Sequence, residues 1–194
     1  REREREKNVL LHCVDWGTPL HSASTKNNIL LIKYFAQLNS LSLSYPSPSL
    51  RLLPLHCSAC SINSSYTVLK CVHLLYPAAI YEVTDMEDTP LSLLMLLLLG
   101  PYSEPVSDIS DRFRYLLKMG PEAVYRARIG GETPYLLCIR NSLPDYFRRL
   151  ILRSAPQINR SDLISLNFKE RRMAMFLFFT AERGREREKK EERG

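Results

Sequence analysis

The residues best suited to chemistry are cysteines and one histidine in the first half of the chain. Cys57 and Cys60 are separated by two residues in the pattern C-x2-C, and Cys71 and His73 follow in the pattern C-x-H. Two such pairs have the composition of a four-ligand zinc site. The helical register described below places the pairs on two successive helices, however, whereas zinc ligands usually stand on tight turns. We therefore expect packed thiols and no metal site, with zinc binding as the alternative.

Nucleophilic catalysis would need a cysteine and a histidine whose side chains meet. His12 is adjacent to Cys13 and His56 to Cys57, but neighbouring residues on a helix point about 100° apart. The sequence also lacks the glycine-rich, G-x-S-x-G and H-E-x-x-H signatures of common catalytic and nucleotide sites. We predict no catalytic residues, no cofactor and no small-molecule substrate.

The positive charge of the chain is concentrated in its second half. The formal net charge is +6, and residues 101–181 hold 13 basic against 8 acidic side chains. The densest basic sites are Arg148-Arg149 with Arg153, and Arg171-Arg172. Helix surfaces commonly carry such pairs, so these sites alone do not predict nucleic-acid binding. A nucleic-acid-associated protein that uses the basic second half is the alternative function.

These side chains must be positioned by a structure that the sequence repeats. A proline-centred tetrapeptide recurs with prolines 35, 36 and 44 residues apart, and a second signature, Pro-x-Ala-x-Tyr, lies 13 residues before the last two of them. The four tetrapeptides are Thr18-Pro19-Leu20-His21, Leu53-Pro54-Leu55-His56, Thr89-Pro90-Leu91-Ser92 and Thr133-Pro134-Tyr135-Leu136. Such a period indicates a repeat architecture.

Each tetrapeptide predicts the start of a short helix. A Thr hydroxyl can accept from free backbone N–H groups at a helix N-terminus, and Pro in the first helical position loses no hydrogen bond. Leu53 cannot cap in this way, so the second copy should have the weakest first helix, and replacing it by Thr should be neutral or stabilising. Polar breaks such as Asn27-Asn28 then precede longer helices, for example residues 29–38 and 66–76. Pro77 and Pro121 predict where two of these end.

The repeated segments resemble the ankyrin repeat, of about 33 residues with a T-P-L-H-x-A opening, which residues 18–23 match completely. The resemblance covers roughly residues 10–181 and implies an all-α fold, an ankyrin-type α-solenoid of stacked helix pairs with short turns or hairpins. It also implies a structural role for His21 and His56, whose imidazoles would hydrogen-bond backbone near the hairpin.

The predicted organisation has four repeats between two charged tails. The ankyrin-like region is residues 10–160, divided at approximately 15–52, 53–85, 86–129 and 130–160, with an inserted loop at 100–109 and a second helix of the third unit beginning near Ser110. Residues 161–181 are predicted to form a C-terminal capping helix. Residues 1–9 and 182–194 are predicted to be low-complexity tails, because their charged stretches contain almost no apolar residue that could be buried.

Cysteine usage and hydropathy indicate an intracellular protein without a membrane span. The five cysteines have no regular spacing, and no secretory signal precedes them, so we expect reduced thiols. The most apolar run, residues 91–99, is nine residues long, whereas a membrane-spanning helix needs about 20.

The ankyrin resemblance implies a non-catalytic scaffold that binds another protein. Its turns would align along one edge, where the sequence supplies an aromatic residue, an acidic turn and a basic turn. The predicted partner-binding residues are Trp16, Asp85, Met86, Glu87, Arg126 and Arg128.

Overall fold

A computed structural model describes residues 17–99, 107–140 and 143–154 of this chain, and these residues form an all-α structure. Within the described ranges there is no β-strand, and none of the helices there is both long enough and apolar enough to cross a membrane. The described residues contain eight α-helices, namely α1 (Pro19–Thr25), α2 (Ile29–Leu38), α3 (Pro54–Cys60), α4 (Tyr66–Leu75), α5 (Pro90–Leu99), α6 (Ser107–Met119), α7 (Pro134–Arg140) and α8 (Asp145–Ser154).

The helices form pairs, and like helices of successive pairs are in contact. Each odd-numbered helix packs against the next even-numbered one, as α1 does with α2 and α3 with α4. In addition, α1, α3, α5 and α7 contact one another in series, and so do α2, α4, α6 and α8. Each pair therefore buries its apolar residues against the pairs before and after it. The buried residues form one continuous core from Leu20 to Ile151.

Threonine caps begin two of the odd-numbered helices as expected. The Thr89 hydroxyl accepts from Ser92 N–H at 3.2 Å, and the Thr133 hydroxyl accepts from Leu136 N–H at 3.1 Å. In α1 the Thr18 hydroxyl instead lies 2.8 Å from a ring nitrogen of His21.

The polar breaks lie between the short and the longer helices as predicted, and they also cap the helices that follow them. The Asn28 side chain accepts from Leu31 N–H, and the Ser65 hydroxyl accepts from Val68 N–H. Each of these hydrogen bonds satisfies a donor that helix geometry leaves without a partner.

The expectation that replacing Leu53 by Thr is neutral or stabilising overlooks the burial of this side chain. Leu53 occupies the N-cap position of α3 with the same extended backbone as Thr18. Its side chain, however, is only 6% exposed and belongs to the apolar core. The missing cap hydroxyl is thus offset by burial of a leucine, which the sequence comparison of the four openings did not reveal. Threonine at this position would lose apolar burial.

Each of the first three helix pairs is followed by a short 3-10 turn that has buried residues. These turns are Ser40–Leu43, Pro77–Ile80 and Pro121–Tyr125. Their third and fourth residues are buried in every copy, as Ala79 and Ile80 are in the second. Pro77 and Pro121 stop the preceding helices as predicted. The first copy was not recognised in the sequence because it has serine in place of proline.

The third pair departs from the predicted boundaries. Helix α6 begins at Ser107 rather than near Ser110, so it includes part of the predicted inserted loop.

Arg112 of α6 is 1% exposed and donates to the carbonyls of Ser58, Ala59 and Ser61. Its Nε also lies 3.1 Å from the Asp108 carboxylate. One side chain of α6 therefore satisfies the carbonyls at the end of α3.

Several predicted segments lie outside the described residues. These are the charged tails at 1–9 and 182–194, the capping helix at 161–181, residues 100–106 of the inserted loop, and Trp16.

Candidate functional site

Three turns that follow the helix pairs are closed by the same kind of backbone hydrogen bond. The turn of residues 47–52 closes with Ser47 N–H donating to Leu52 O at 2.8 Å. The turns of residues 84–88 and 128–132 close in the same way, at 3.1 and 3.0 Å. Each contains a left-handed residue just before its end, namely Arg51, Glu87 and Gly131, with φ of 52°, 58° and 78°. We call these the first, second and third turns.

Backbone hydrogen bonds join the three turns into one edge. Asp85 N–H donates to Leu50 O at 3.1 Å, and Ile129 N–H donates to Met86 O at 3.0 Å. The side chains of Leu50, Met86 and Ile129 are 47%, 44% and 54% exposed. Each turn thus presents one apolar side chain to solvent. We call the three turns, together with Arg126, the turn edge.

The acidic residues predicted for partner binding lie on this edge. Asp85, Met86 and Glu87 form the second turn, and all three are exposed. The Asp85 carboxylate is 3.9 Å from the Arg51 guanidinium on the first turn. Both of these charges face solvent, so the pair adds little to stability and leaves its groups accessible.

The two predicted arginines occupy different environments. Arg126 is exposed, and its guanidinium donates to Tyr81 O at 3.0 Å. Arg128 is partly buried, and its Nε lies 3.2 Å from the Asp88 carboxylate, which is almost wholly buried. This ion pair holds the third turn against the second. Arg128 is therefore engaged within the fold, and the centre of the third turn is Ile129 and its neighbouring glycines rather than residues 126–128.

Three exposed residues of the edge, Leu50, Arg51 and Ile129, were not predicted from the sequence. Leu50 and Arg51 belong to the first turn, whose signal in the sequence is the Ser47-Pro48-Ser49 cluster, a composition typical of turns. The first turn has one residue more than the second. The stretch that contains it is therefore not 13 residues long, which is the spacing between the Pro-x-Ala-x-Tyr signature and the next tetrapeptide in the later two copies. Trp16 lies outside the described residues.

His21 ties α1 to the first turn. Its Nδ1 accepts from Thr18 N–H at 3.1 Å, so the proton of the neutral ring is on Nε2, which donates to Leu52 O at 2.7 Å. Burial lowers the pKa of His21, which keeps the ring neutral. Gly17 packs on this ring with φ of 109°, and a Cβ there would be 2.8 Å from the His21 ring.

His56 repeats this arrangement one unit later. Its Nδ1 accepts from Leu53 N–H at 3.0 Å, and Nε2 donates to Glu82 O at 3.1 Å, just before the second turn. Burial lowers the pKa of His56 to about 4. Both imidazoles therefore hold backbone groups next to a turn, which is a structural use of these side chains.

The cysteines considered as zinc ligands lie in packed surroundings. Burial raises the pKa of the Cys57, Cys60 and Cys71 thiols, which disfavours the thiolate that binds metal or attacks a substrate. His73 is buried, and its Nδ1 lies 2.7 Å from the Tyr115 hydroxyl. Nowhere in the described ranges do three or more His, Cys, Asp or Glu side chains converge in a way that could hold a metal ion.

No protein-family model matches this sequence, and a search of curated proteins finds no significant match.

Proposed function

We propose that the chain is a protein-interaction scaffold built from ankyrin-type repeats, a non-catalytic α-solenoid that binds another protein through its turn edge. No cofactor or small-molecule substrate is part of this proposal. The four units proposed at 15–52, 53–85, 86–129 and 130–160 contain the pairs α1–α2, α3–α4, α5–α6 and α7–α8, one pair in each.

The observation that carries the proposal is the serial contact of equivalent elements. Odd-numbered helices contact odd-numbered helices, even-numbered helices contact even-numbered ones, and consecutive turns are joined by backbone hydrogen bonds. In a repeat stack each unit contacts its neighbours, and the stack gains an extended surface. The imidazoles of His21 and His56 each hydrogen-bond a backbone carbonyl next to a turn. This is the role that the ankyrin resemblance implies for the histidine of the opening tetrapeptide.

The exposed composition of the turn edge supports binding there rather than mere solvation. Leu50, Met86 and Ile129 follow one another on successive turns, and charged side chains flank them. Exposed apolar groups rimmed by charge are typical of protein interaction sites. The acidic second turn and Arg126 beside it would also orient a partner with the complementary charge pattern.

Affinity capture with turn-edge variants tests this proposal. The chain would be immobilised as wild type and as the triple variant Leu50→Ser, Met86→Ser, Ile129→Ser, and bound proteins would be identified by mass spectrometry. We expect the wild type to retain a defined protein that the variant loses, because the variant removes the apolar centre of the edge. The helical circular dichroism and the melting temperature of the variant should stay close to those of the wild type, since all three side chains are about half exposed.

A matched control places the same substitution on other exposed leucines. Leu30, Leu41 and Leu74 are 81%, 66% and 63% exposed and lie on or next to the even-numbered helices. The variant Leu30→Ser, Leu41→Ser, Leu74→Ser should retain the partner. Loss of the partner in this control, with retention in the turn-edge variant, would move the binding surface to the even-numbered helices and contradict the proposal.

A further inference from the structure

The last two even-numbered helices bring their charged sides together. Phe113 of α6 and Phe147 of α8 are buried and pack edge to face, with ring centroids 4.9 Å apart. On the exposed side, the Arg114 guanidinium carbon lies 5.1 Å from the centroid of the Tyr146 ring. The apolar contact and the cation–π contact thus set the polar sides of α6 and α8 beside each other.

Helical spacing collects several cations on this side. In α6, Asp111, Arg114 and Lys118 are exposed at intervals of three and four residues, so they share one side of the helix. In α8, Arg149 and Arg153 are exposed four residues apart. We call Arg114, Lys118 and Arg149, together with Asp111, the basic face. It has three cations and one carboxylate.

Three other arginines among the described residues of this half are paired with carboxylates. Arg112 pairs with Asp108, Arg128 with Asp88 and Arg140 with Glu132, at 3.1 to 3.2 Å. These pairs use acidic groups of the region for internal structure. The basic face shares no residue with the turn edge.

We propose that the basic face is a second docking surface and that it binds an acidic polypeptide segment. The guanidinium groups of Arg114 and Arg149 can pair with carboxylates through two parallel hydrogen bonds each, and Lys118 can pair with a third as a point charge. A segment whose acidic residues are separated by uncharged ones matches a surface whose cations are interrupted by Asp111.

Two observations favour an acidic polypeptide over a nucleic acid. A nucleic-acid strand carries a phosphate at every nucleotide, so it would bring negative charge onto Asp111 as well as onto the cations. Proteins that bind single strands also offer open aromatic rings for base stacking. The aromatic ring beside the basic face, that of Tyr146, has Arg114 over it.

Binding of model ligands to the whole chain tests the proposal. The probes are a labelled peptide in which glutamates alternate with Gly and Ser, the same peptide with Gln for Glu, and single-stranded RNA of equal length. The Glu peptide should bind, and the Gln peptide should not. Binding should weaken from low to physiological salt, where charges are screened beyond about 8 Å.

A charge-matched pair of variants assigns the site. Arg114→Ala, Lys118→Ala, Arg149→Ala should weaken binding of the Glu peptide at least about tenfold, because attraction between oppositely charged surfaces guides association. Arg153 stays unchanged, since it lies at the end of α8, where a cation stabilises the helix. The control Lys26→Ala, Lys33→Ala, Lys70→Ala removes three exposed cations elsewhere and should leave the affinity unchanged.

Three results would overturn the proposal: equal losses in both triple variants, no binding of the Glu peptide, or tighter binding of RNA than of the Glu peptide at the same ionic strength. The last would identify a nucleic-acid surface. Loss of partner capture in the turn-edge variant is independent of this assay, so failure of one proposal does not imply failure of the other.

Discussion

At the scale of single residues, the neutral imidazole of His56 makes stability dependent on pH. Its pKa is about 4 in the folded chain and 6.5 in the unfolded chain, so the unfolded chain binds more protons between these values. The stabilisation is therefore complete above pH 6.5 and is lost as the pH falls through 6.5 toward 4. This group contributes about 3 kcal/mol to that loss. His21, whose pKa is lowered by burial, adds to it in the same direction.

Denaturant titrations at several pH values between 7 and 4 measure this dependence. The variant His56→Gln should be less stable than the wild type at pH 7, because the hydrogen bonds to Leu53 and Glu82 are disturbed. It should also lose less stability on acidification. If wild type and variant lose equal free energy between pH 7 and 4, another group causes the acid sensitivity.

Because Arg128 pairs with Asp88 and Arg126 is exposed, we expect their replacement to change the free energy of unfolding by different amounts. The sequence alone did not distinguish these two arginines. Arg128→Ala should reduce the free energy of unfolding by about 2 kcal/mol, because it leaves the buried Asp88 carboxylate without its cation. Arg126→Ala should change it by less than about 0.5 kcal/mol, because this side chain is exposed. Chemical denaturation of both variants makes the comparison. Equal small effects would show that the ion pair does not stabilise the turn edge, and would return Arg128 to the candidate binding residues.

Residue-level predictions from the sequence succeeded where the cause is local. The predicted caps Thr89 and Thr133 each accept from a backbone N–H three residues away, so a short pattern contains the necessary information. The partner of Arg128 is 40 residues distant and comes near only when the turns stack. No local pattern contains that contact.

At the scale of elements, the start of α3 gives a prediction opposite to the one from the sequence. Leu53→Thr should destabilise the protein, since loss of a buried leucine costs about 2 kcal/mol or more and a new cap returns only about 1 kcal/mol. Thr89→Ala and Thr133→Ala should each cost about 1 kcal/mol. Leu53→Met, which keeps the volume, is the control and should cost little. A neutral or stabilising effect of Leu53→Thr would contradict the burial of this side chain.

The order of the elements was largely predictable, and their exact limits were less so. Proline at the first helical position and after the even-numbered helices marks boundaries through its own stereochemistry, independently of packing. The early start of α6 depends instead on Asp108, which pairs with Arg112 and accepts from Tyr66 N–H on a neighbouring helix. The 3-10 turn at Ser40–Leu43 escaped detection because serine replaces the proline that marks the later copies.

At the scale of the whole molecule, stability arises from contacts between neighbouring pairs of helices. Arg112 joins α6 to the end of α3 in the preceding pair, and the Arg128–Asp88 ion pair joins the third turn to the second. The same serial packing aligns the turns into one edge and sets the cations of α6 and α8 on another surface. The proposed binding surfaces therefore follow from contacts between successive helix pairs and not from any one pair, which is why the tetrapeptides alone could not locate them.

Hydrogen exchange of the chain with its captured partner tests most directly whether a protein binds at the turn edge. Backbone amides exchange slowly where a bound protein covers them or holds their hydrogen bonds closed. The partner should slow exchange in residues 47–52, 84–88 and 126–132, with little change in α2 and α4. Slowed exchange confined to α2 and α4, with the turns unaffected, would contradict it.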